Sequence, residues 1–315
     1  MLDITLKPTT LRAARAEARL LLPVEALALV RDNGVDKGDV REAAKLAALM
    51  AVKKTPELLP HCHPLPILEA QVTCEPEPGA LKFEASVRTI AATGVEMEAL
   101  TAVTAAALCA YDMLKPHVSH DRMQIGGVRL LEKTGGKSHF RRRLARPVSA
   151  AVIVLSDTVA AGRKPDTAGR AVAQALTAAG FAPVAYEVLP DEPGQLKAAL
   201  EAQMRNGAGF IATVGGTGLG PRDRTVETVR PLLTTEVPGL MEAARGFGQS
   251  RTPYAMLSRG VGGFAGNALI VTFPGSRRGA EETVAALLPG VVHLLDVFRG
   301  ARHRGGYGEG EKVAS

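Results

Sequence analysis

The chain has 315 residues, enough for two domains at roughly 100–200 residues each, and its 46% hydrophobic and 22% charged content is that of an ordinary globular protein. A net charge of +6 suits an anionic partner, but aromatic residues make up only 4% with no Trp, which disfavours a base-stacking nucleic-acid binder and favours a small phosphorylated ligand. Cys62, Cys74 and Cys109 form no disulfide framework, no run of about 18 apolar residues marks a membrane span, and the charge of Asp3 argues against a cleaved leader, so a cytoplasmic chain without nucleic-acid or membrane partners is expected.

In chain order, residues 1–36 begin with a short strand-like segment. The Ala/Arg/Glu run Leu11 to Leu20 then reads as a helix or a basic edge. Asp39 is an N-cap candidate for a helix to about Lys54, with Val40, Ala44, Ala47 and Ala51 on one face and Thr55-Pro56 closing it. Pro60, Pro64 and Pro66 forbid helix around His61-Cys62-His63 and predict a fixed, extended loop. Strands are predicted at Val72 to Cys74 and Leu81 to Ile90, about a turn at Pro76 to Gly79. A helix follows from Glu96 to Lys115, with Leu100, Val103, Ala107, Tyr111 and Leu114 as its buried stripe, then a strand region from Met123 to Leu131.

The composition then changes. Lys137 to Arg146 holds five basic residues in ten and Pro147 ends it, so a hydrophilic junction near residues 145–149 separates domains at 1–146 and 147–300, with a polar tail at 301–315. Beyond it, strands at Ala150 to Leu155, Ala182 to Leu189 and Phe210 to Val214 alternate with helices at Thr167 to Ala179 and after Pro193; Gly180 stands where a helix-ending glycine belongs. Alternation of this kind predicts a parallel sheet covered on both faces.

Several patterns carry chemistry on their own. His61 and His63 alternate on an extended segment and could reach one ion, but no CxxC or HxxxH partner completes a zinc site; anionic-ligand binding and plain packing stay open. Asp112 and Lys115 share a helix face, either as a surface pair or as a carboxylate and ammonium poised for proton transfer. Glu98 lies fourteen residues from Asp112, about 21 Å along an unbroken helix, so the two serve one atom only across a subunit interface. Gly215-Gly216-Thr217-Gly218 follows a predicted strand, where it is either a tight turn or a backbone cradle for an anion; the Lys and Ser/Thr of a P-loop are missing after it. Gly260 to Ala265 fits a loose dinucleotide fingerprint but precedes a strand-like Ala268 to Thr272, which excludes it. Asp191 and Asp223 follow successive predicted strands, where carboxylates can hold Mg²⁺ against nucleotide phosphates. Pro274-Gly275-Ser276 opens a further helix whose N-terminus can accept phosphate.

Lys37-Gly38-Asp39-Val40, Leu58 to Pro64, Gly94 to Thr101, Tyr111-Asp112-Met113 and Lys133 to Ser138 occur together and in order. Over about residues 1–140 this resembles cyclic pyranopterin monophosphate synthase, the MoaC family. The resemblance implies conversion of 3′,8-cyclo-7,8-dihydroguanosine 5′-triphosphate to cyclic pyranopterin monophosphate and diphosphate. It implies acid/base roles for Asp112, Lys115 and Lys37, and substrate binding by His61, Cys62, His63, Glu96, Met97 and Glu98, with Arg12 on the triphosphate. It also implies hexamers with sites between subunits. Two features depart from the family: His61 stands where an apolar residue is common, and Met1-Leu2-Asp3 opens the chain without the usual short lead.

Ser156-Asp157, Asp166 to Gly169, Leu189 to Glu192, Gly215 to Gly218 with Pro221-Arg222-Asp223, Leu257-Ser258-Arg259 and Pro274 to Ser276 resemble the molybdopterin adenylyltransferases, the MoaB/MogA family, over about residues 148–290. Ala168 replaces a common Ser. The resemblance implies attack of the terminal phosphate of molybdopterin on the α-phosphate of MgATP. Asp191 and Asp223 would be catalytic and metal-linked, and Ser156, Asp157, Gly215, Gly216, Thr217, Gly218, Ser258, Pro274, Gly275 and Ser276 would bind substrate. No bound organic cofactor is expected. The fold expected is an α+β first domain with a ferredoxin-like arrangement, joined to a three-layer α/β domain with a mostly parallel sheet, in a homo-hexamer or homo-trimer. A second reading pairs an active synthase with a non-catalytic pterin-binding or assembly module, against which Asp191 and Asp223 argue. A nucleic-acid-binding reading rests on charge alone.

Overall fold

The computed structural model describes residues 1–136, 140, 144 and 146–298. Most of the basic junction, the end of the Lys133 to Ser138 motif and the tail at 301–315 lie outside these. The chain divides into two compact units, the first ending at Phe140.

The first unit is built from β1 (Thr10–Leu21), α1 (Val24–Arg31), α2 (Val40–Leu58), β2 (Glu69–Glu77), β3 (Ala80–Ala91), α3 (Glu96–Leu114) and β4 (Gln124–Thr134). The strands form one antiparallel sheet in the order β2-β3-β1-β4. Ala14, Ala16, Ala18 and Leu20 of β1 and Leu81, Phe83, Ala85 and Val87 of β3 are buried on one face, as period-2 alternation requires. Against this face packs α3, through a stripe that includes Ala99, Ala102, Val103, Ala106 and Ala110; α2 packs on α3 and β2.

Three expectations change here. The Leu11 to Leu20 run is neither helix nor edge but the inner strand β1. Its alanines favour a helix locally, yet burial of every second residue between β3 and β4 wins. Thr55-Pro56 does not close α2, which runs on to Leu58. Within α2 the buried residue of the third turn is Ala48, with Ala47 half-buried. In addition, α3 is long and apolar enough by length and composition to cross a membrane, but its buried apolar residues are packed in the core with the sheet and α2, while Met97 and Leu108 are exposed.

The second unit carries β5 (Val148–Leu155), α4 (Asp157–Ala160), α5 (Ala168–Ala178), β6 (Phe181–Leu189), α6 (Pro193–Arg205), β7 (Phe210–Val214), α7 (Thr225–Val229), β8 (Thr235–Glu236), α8 (Pro238–Gln249), β9 (Gly262–Ala265), β10 (Ala268–Phe273) and α9 (Arg277–Phe298). Its six-stranded sheet has the order β6-β5-β7-β10-β9-β8. The first four strands are parallel and the last two pairings antiparallel. A strand buried on both faces explains the unbroken apolar run of β5. Val148, Ala150, Val152 and Val154 join residues of α5, α8 and α9, whereas Ala151, Ile153 and Leu155 join residues of α6 and α7. That is the expected three-layer α/β arrangement. The rejected dinucleotide fingerprint at Gly260 to Ala265 runs into β9, paired antiparallel with β10.

Candidate active sites

In the first unit, Gly38 at φ +102° turns the chain just before α2, and the Asp39 side chain accepts from the N–H groups of Arg41 and Glu42. That turn delivers Lys37 to the last turn of α3. Its Nζ donates to the Asp112 carboxylate and carbonyl oxygen, both at 2.8 Å, while Lys115 Nζ lies 2.6 Å from the other carboxylate oxygen. Hydrogen bonds from Lys115 and then Lys37 hold the Asp112 carboxyl down to about 2, and the same contact raises the Lys115 pKa. Cys109 stands one turn earlier, its thiol pushed up by burial and then by the Asp112 charge.

Glu96, Met97 and Glu98 open α3, at the end of the helix opposite Asp112. Glu98 is 3% exposed, and burial raises its pKa. Cys62 is raised by burial and then by the charge of Glu98, which places the proline-bounded loop beside this carboxylate. His61 is exposed and His63 half-buried; among the described residues no group of three His, Cys, Asp or Glu could hold a metal ion. Met97 stays exposed, and Glu96 lies 3.4 Å from Lys133 Nζ. Arg12 is 8% exposed and bound to main-chain carbonyls: Nε donates to Ala91 at 3.2 Å, and Nη2 to Pro8 at 3.3 Å and Ala92 at 3.2 Å. A Cβ on Gly136, at φ +78°, would lie 1.8 Å from Arg12 Nη1. The carboxylates of Glu98 and Asp112 thus belong to opposite ends of one 19-residue helix.

In the second unit, the carboxyl ends of β5, β6, β7 and β10 share one edge of the sheet, because these strands are parallel. Ser156-Asp157, Asp191, Gly215 to Gly218 and Pro274 to Ser276 all follow those ends. The Asp157 N–H donates to Asp191 Oδ2 at 3.1 Å, and the Asp191 N–H donates back to Asp157 Oδ1 at 3.0 Å. Arg222 forks onto Asp157, with Nε 2.8 Å and Nη2 3.0 Å from its two oxygens, and also reaches Glu192 at 3.1 Å. The Asp157 pKa is lowered, first by the Asp191 backbone bond. That of Asp191 is raised by burial, with the charges of Asp157 and Asp223 adding to the effect.

Gly215 and Gly216 have φ of +110° and +64°, and a Cβ on Gly215 would lie 2.3 Å from the Leu155 carbonyl oxygen. Only glycine follows that path at such closeness. Thr225 Oγ1 donates to Gly215 O at 2.9 Å, Thr217 is buried, and Asp223 accepts from the Gly220 N–H at 2.7 Å. Gly275 approaches within 3.2 Å of the Gly215 Cα, measured from its would-be Cβ, so the two glycine turns abut. Ser276 Oγ accepts from the Gly279 N–H at the start of α9, and Ser258 Oγ from the Gly260 N–H. Asp166 accepts from Gly169 and Arg170 N–H groups and from the Tyr186 hydroxyl, which fixes the start of α5. Arg222, Arg259 and Lys133 sit inside motifs singled out from the sequence, yet no role was expected for them. A basic residue beside a candidate catalytic aspartate was the available signal for Arg222.

These geometries define a two-unit protein with a separate charged site in each half. Residues 1–136 match the model for the MoaC family, and residues 151–293 match the model described as "Probable molybdopterin binding domain". A protein of Chlorobaculum tepidum named molybdenum cofactor biosynthesis bifunctional protein is 40% identical over 303 residues, covering 96% of this chain and 96% of that protein. The chain belongs to this family of bifunctional molybdenum cofactor biosynthesis proteins. It is also 48% identical over 141 residues to the cyclic pyranopterin monophosphate synthase of Methylobacterium nodulans, covering 44% of this chain and 86% of that one. The crystal structure of the molybdopterin biosynthesis enzyme MoaB from Thermus thermophilus is 42% identical, with 49% of this chain and 98% of that one covered at a TM-score of 0.45.

Proposed function

We propose that the first unit converts 3′,8-cyclo-7,8-dihydroguanosine 5′-triphosphate to cyclic pyranopterin monophosphate and diphosphate, and that the second adenylylates molybdopterin with MgATP. The change of activity falls at residues 145–149. The observation that carries the synthase reading is the Lys37–Asp112–Lys115 cluster: two ammonium groups on one exposed carboxylate, a ready proton donor beside a fixed anion. Cys62, His61, His63, Glu96, Met97, Glu98 and Arg12 bind the substrate. Because three carbonyls occupy Nε and Nη2 of Arg12, its contact with the triphosphate is through Nη1. The helix length separating Glu98 from Asp112 supports a site shared between subunits of a hexamer. The order of strands and helices, with β1 inside and β4 beside it, supports a ferredoxin-like unit.

For the second unit, the reading is carried by the reciprocally bonded Asp157 and Asp191 and by the glycine turn that ends in Asp223, at the edge where open parallel sheets bind ligands. Asp191 and Asp223 are the catalytic carboxylates. Among the described residues no group of three His, Cys, Asp or Glu could hold a metal ion, so a divalent cation here would be held by one or two of these carboxylates together with the nucleotide phosphates, as Mg²⁺ is. When bound, Mg²⁺ neutralises charge on the nucleotide phosphates. Gly215, Gly216, Thr217 and Gly218 with Pro274, Gly275 and Ser276 cradle phosphate, and Ser156, Asp157 and Ser258 line the pterin side. The pterin phosphate attacks the α-phosphorus of ATP and diphosphate leaves. The full chain, given molybdopterin, ATP and Mg²⁺, forms adenylylated product; Asp223→Asn abolishes this while the synthase activity persists. A wild-type chain that retains synthase activity and makes no adenylylated product refutes the second activity and leaves a pterin-binding or assembly module.

A further inference from the structure

The run from Gly215 to Asp223 is a poor candidate for a rigid site. It holds four glycines, Gly215, Gly216, Gly218 and Gly220, and glycine loses more conformational freedom on ordering than any other residue. Something outside the loop must hold it, and Arg259 is placed to do so. Its Nε donates to Gly218 O at 2.8 Å, its Nη2 to Asp223 O at 2.7 Å, and its own N–H to Thr217 O at 3.1 Å. Its Nη1 pairs with Glu227 on α7, the helix that continues the loop. One planar fork therefore grips the middle of the loop, its last residue and the element after it.

The arm itself is anchored to the core. Arg245 of α8 reaches the carbonyls of Ser258 and Gly260 at 3.4 and 3.5 Å, and the Val261 N–H donates to the buried Thr272 hydroxyl of β10 at 2.8 Å. We propose that Arg259 is the positioning residue of the second unit, holding Gly218 and Asp223 in the geometry that receives the nucleotide without touching the reacting atoms. What the loop receives rests on the adenylyltransferase reading; the tether itself does not.

Arg259 lines a cleft of about 560 Å³ together with Val226, Glu227, Arg230 and Pro231. The test uses the full chain with Arg259→Ala and Arg259→Lys. Hydrogen-exchange mass spectrometry reads the segment 215–227, and adenylylation kinetics are followed with molybdopterin and MgATP. In both variants exchange of the loop quickens about tenfold or more, while exchange of β5, β7 and β10 stays as in the wild type. The turnover number falls about 10- to 100-fold, since small misplacements at a reacting centre cost that much. Low-millimolar guanidinium chloride, but not equal sodium chloride, restores turnover to Arg259→Ala, whereas the Lys variant stays impaired because an ammonium cannot span both carbonyls. Unchanged loop exchange in the Lys variant, which preserves charge and bulk, overturns the proposal, as does a loosened loop with wild-type turnover. A wild-type chain without adenylylation refutes the functional reading instead, and the tether is then judged by exchange alone.

Discussion

At the scale of single residues, the ionisation of Asp112 decides which group moves a proton in the synthase unit. Held down to about 2 by Lys115 and Lys37, Asp112 is anionic at every working pH, and its pairing is lost only as pH falls through that value. The dissociable protons of the cluster therefore sit on the Lys37 and Lys115 ammonium groups, and under the proposed function Lys115, whose pKa the Asp112 contact raises, is the acid to test. Asp112→Asn removes the partner that raises the Lys115 pKa, so the basic limb of the kcat/KM profile moves to lower pH and turnover drops about 100-fold or more. A pH–rate series on both proteins reads this, and an unmoved basic limb assigns the acid elsewhere. Glu98 behaves in the opposite sense. Burial raises its pKa, so the protonated form favours the fold, and that contribution is lost as pH rises through the raised value. Glu98→Gln is accordingly expected to stabilise the first unit more at about pH 7.5 than at about pH 4, while lowering synthase activity. Thermal melts at the two pH values, paired with the assay, test it.

At the scale of elements, glycine turns and helix ends do the positioning. Gly215→Ala forces a Cβ against the Leu155 carbonyl at a φ of +110°, an expected loss of about 1–3 kcal/mol in the second unit, with adenylylation lost first. Differential scanning calorimetry would show the second unit's transition falling with the first unchanged. The same elements show what a sequence exposes. Parallel strands separated by helices were legible because strand and helix periodicity differ, and the placement of Asp191 and Gly215 at one sheet edge followed from that alone. The break in helix around His61 was legible from its prolines, but the extended path expected there was not found at its start, where the chain turns and the Cys62 N–H bonds back to Leu59 O at 2.9 Å. β1 was not, because Ala14, Ala16 and Ala18 carry helix propensity and only pairing with β3 and β4 fixes the strand. Nor were the reciprocal bonds between Asp157 and Asp191, 34 residues apart, or the reach of Arg259 across 41 residues to Gly218. Such contacts depend on how loops from different strands meet, which no local pattern encodes.

At the scale of the whole molecule, the separation within α3 bears on the proposed shared site. Glu98 and Asp112 are fourteen positions apart on an unbroken helix, about 21 Å, too far to act on one pterin within a subunit. If the site joins the start of α3 from one copy to the end of α3 from another, an isologous contact forms it twice about a two-fold axis. Two inactive chains then become testable partners. Asp112→Ala keeps an intact Glu98 end, and Glu98→Ala keeps an intact Asp112 end. Unfolding and refolding them together in equal amounts should regenerate about a quarter of wild-type synthase activity, since half of the pairs are mixed and each mixed pair holds one complete site. Each variant refolded alone should stay inactive. Adenylylation, whose residues lie in the other unit, should be unaffected in every mixture and so reports that the refolded chains are native. Complementation confined to mixtures establishes the shared site. A mixture as inactive as its parents, with adenylylation intact, places both carboxylates' work inside one subunit and requires a different path for the substrate.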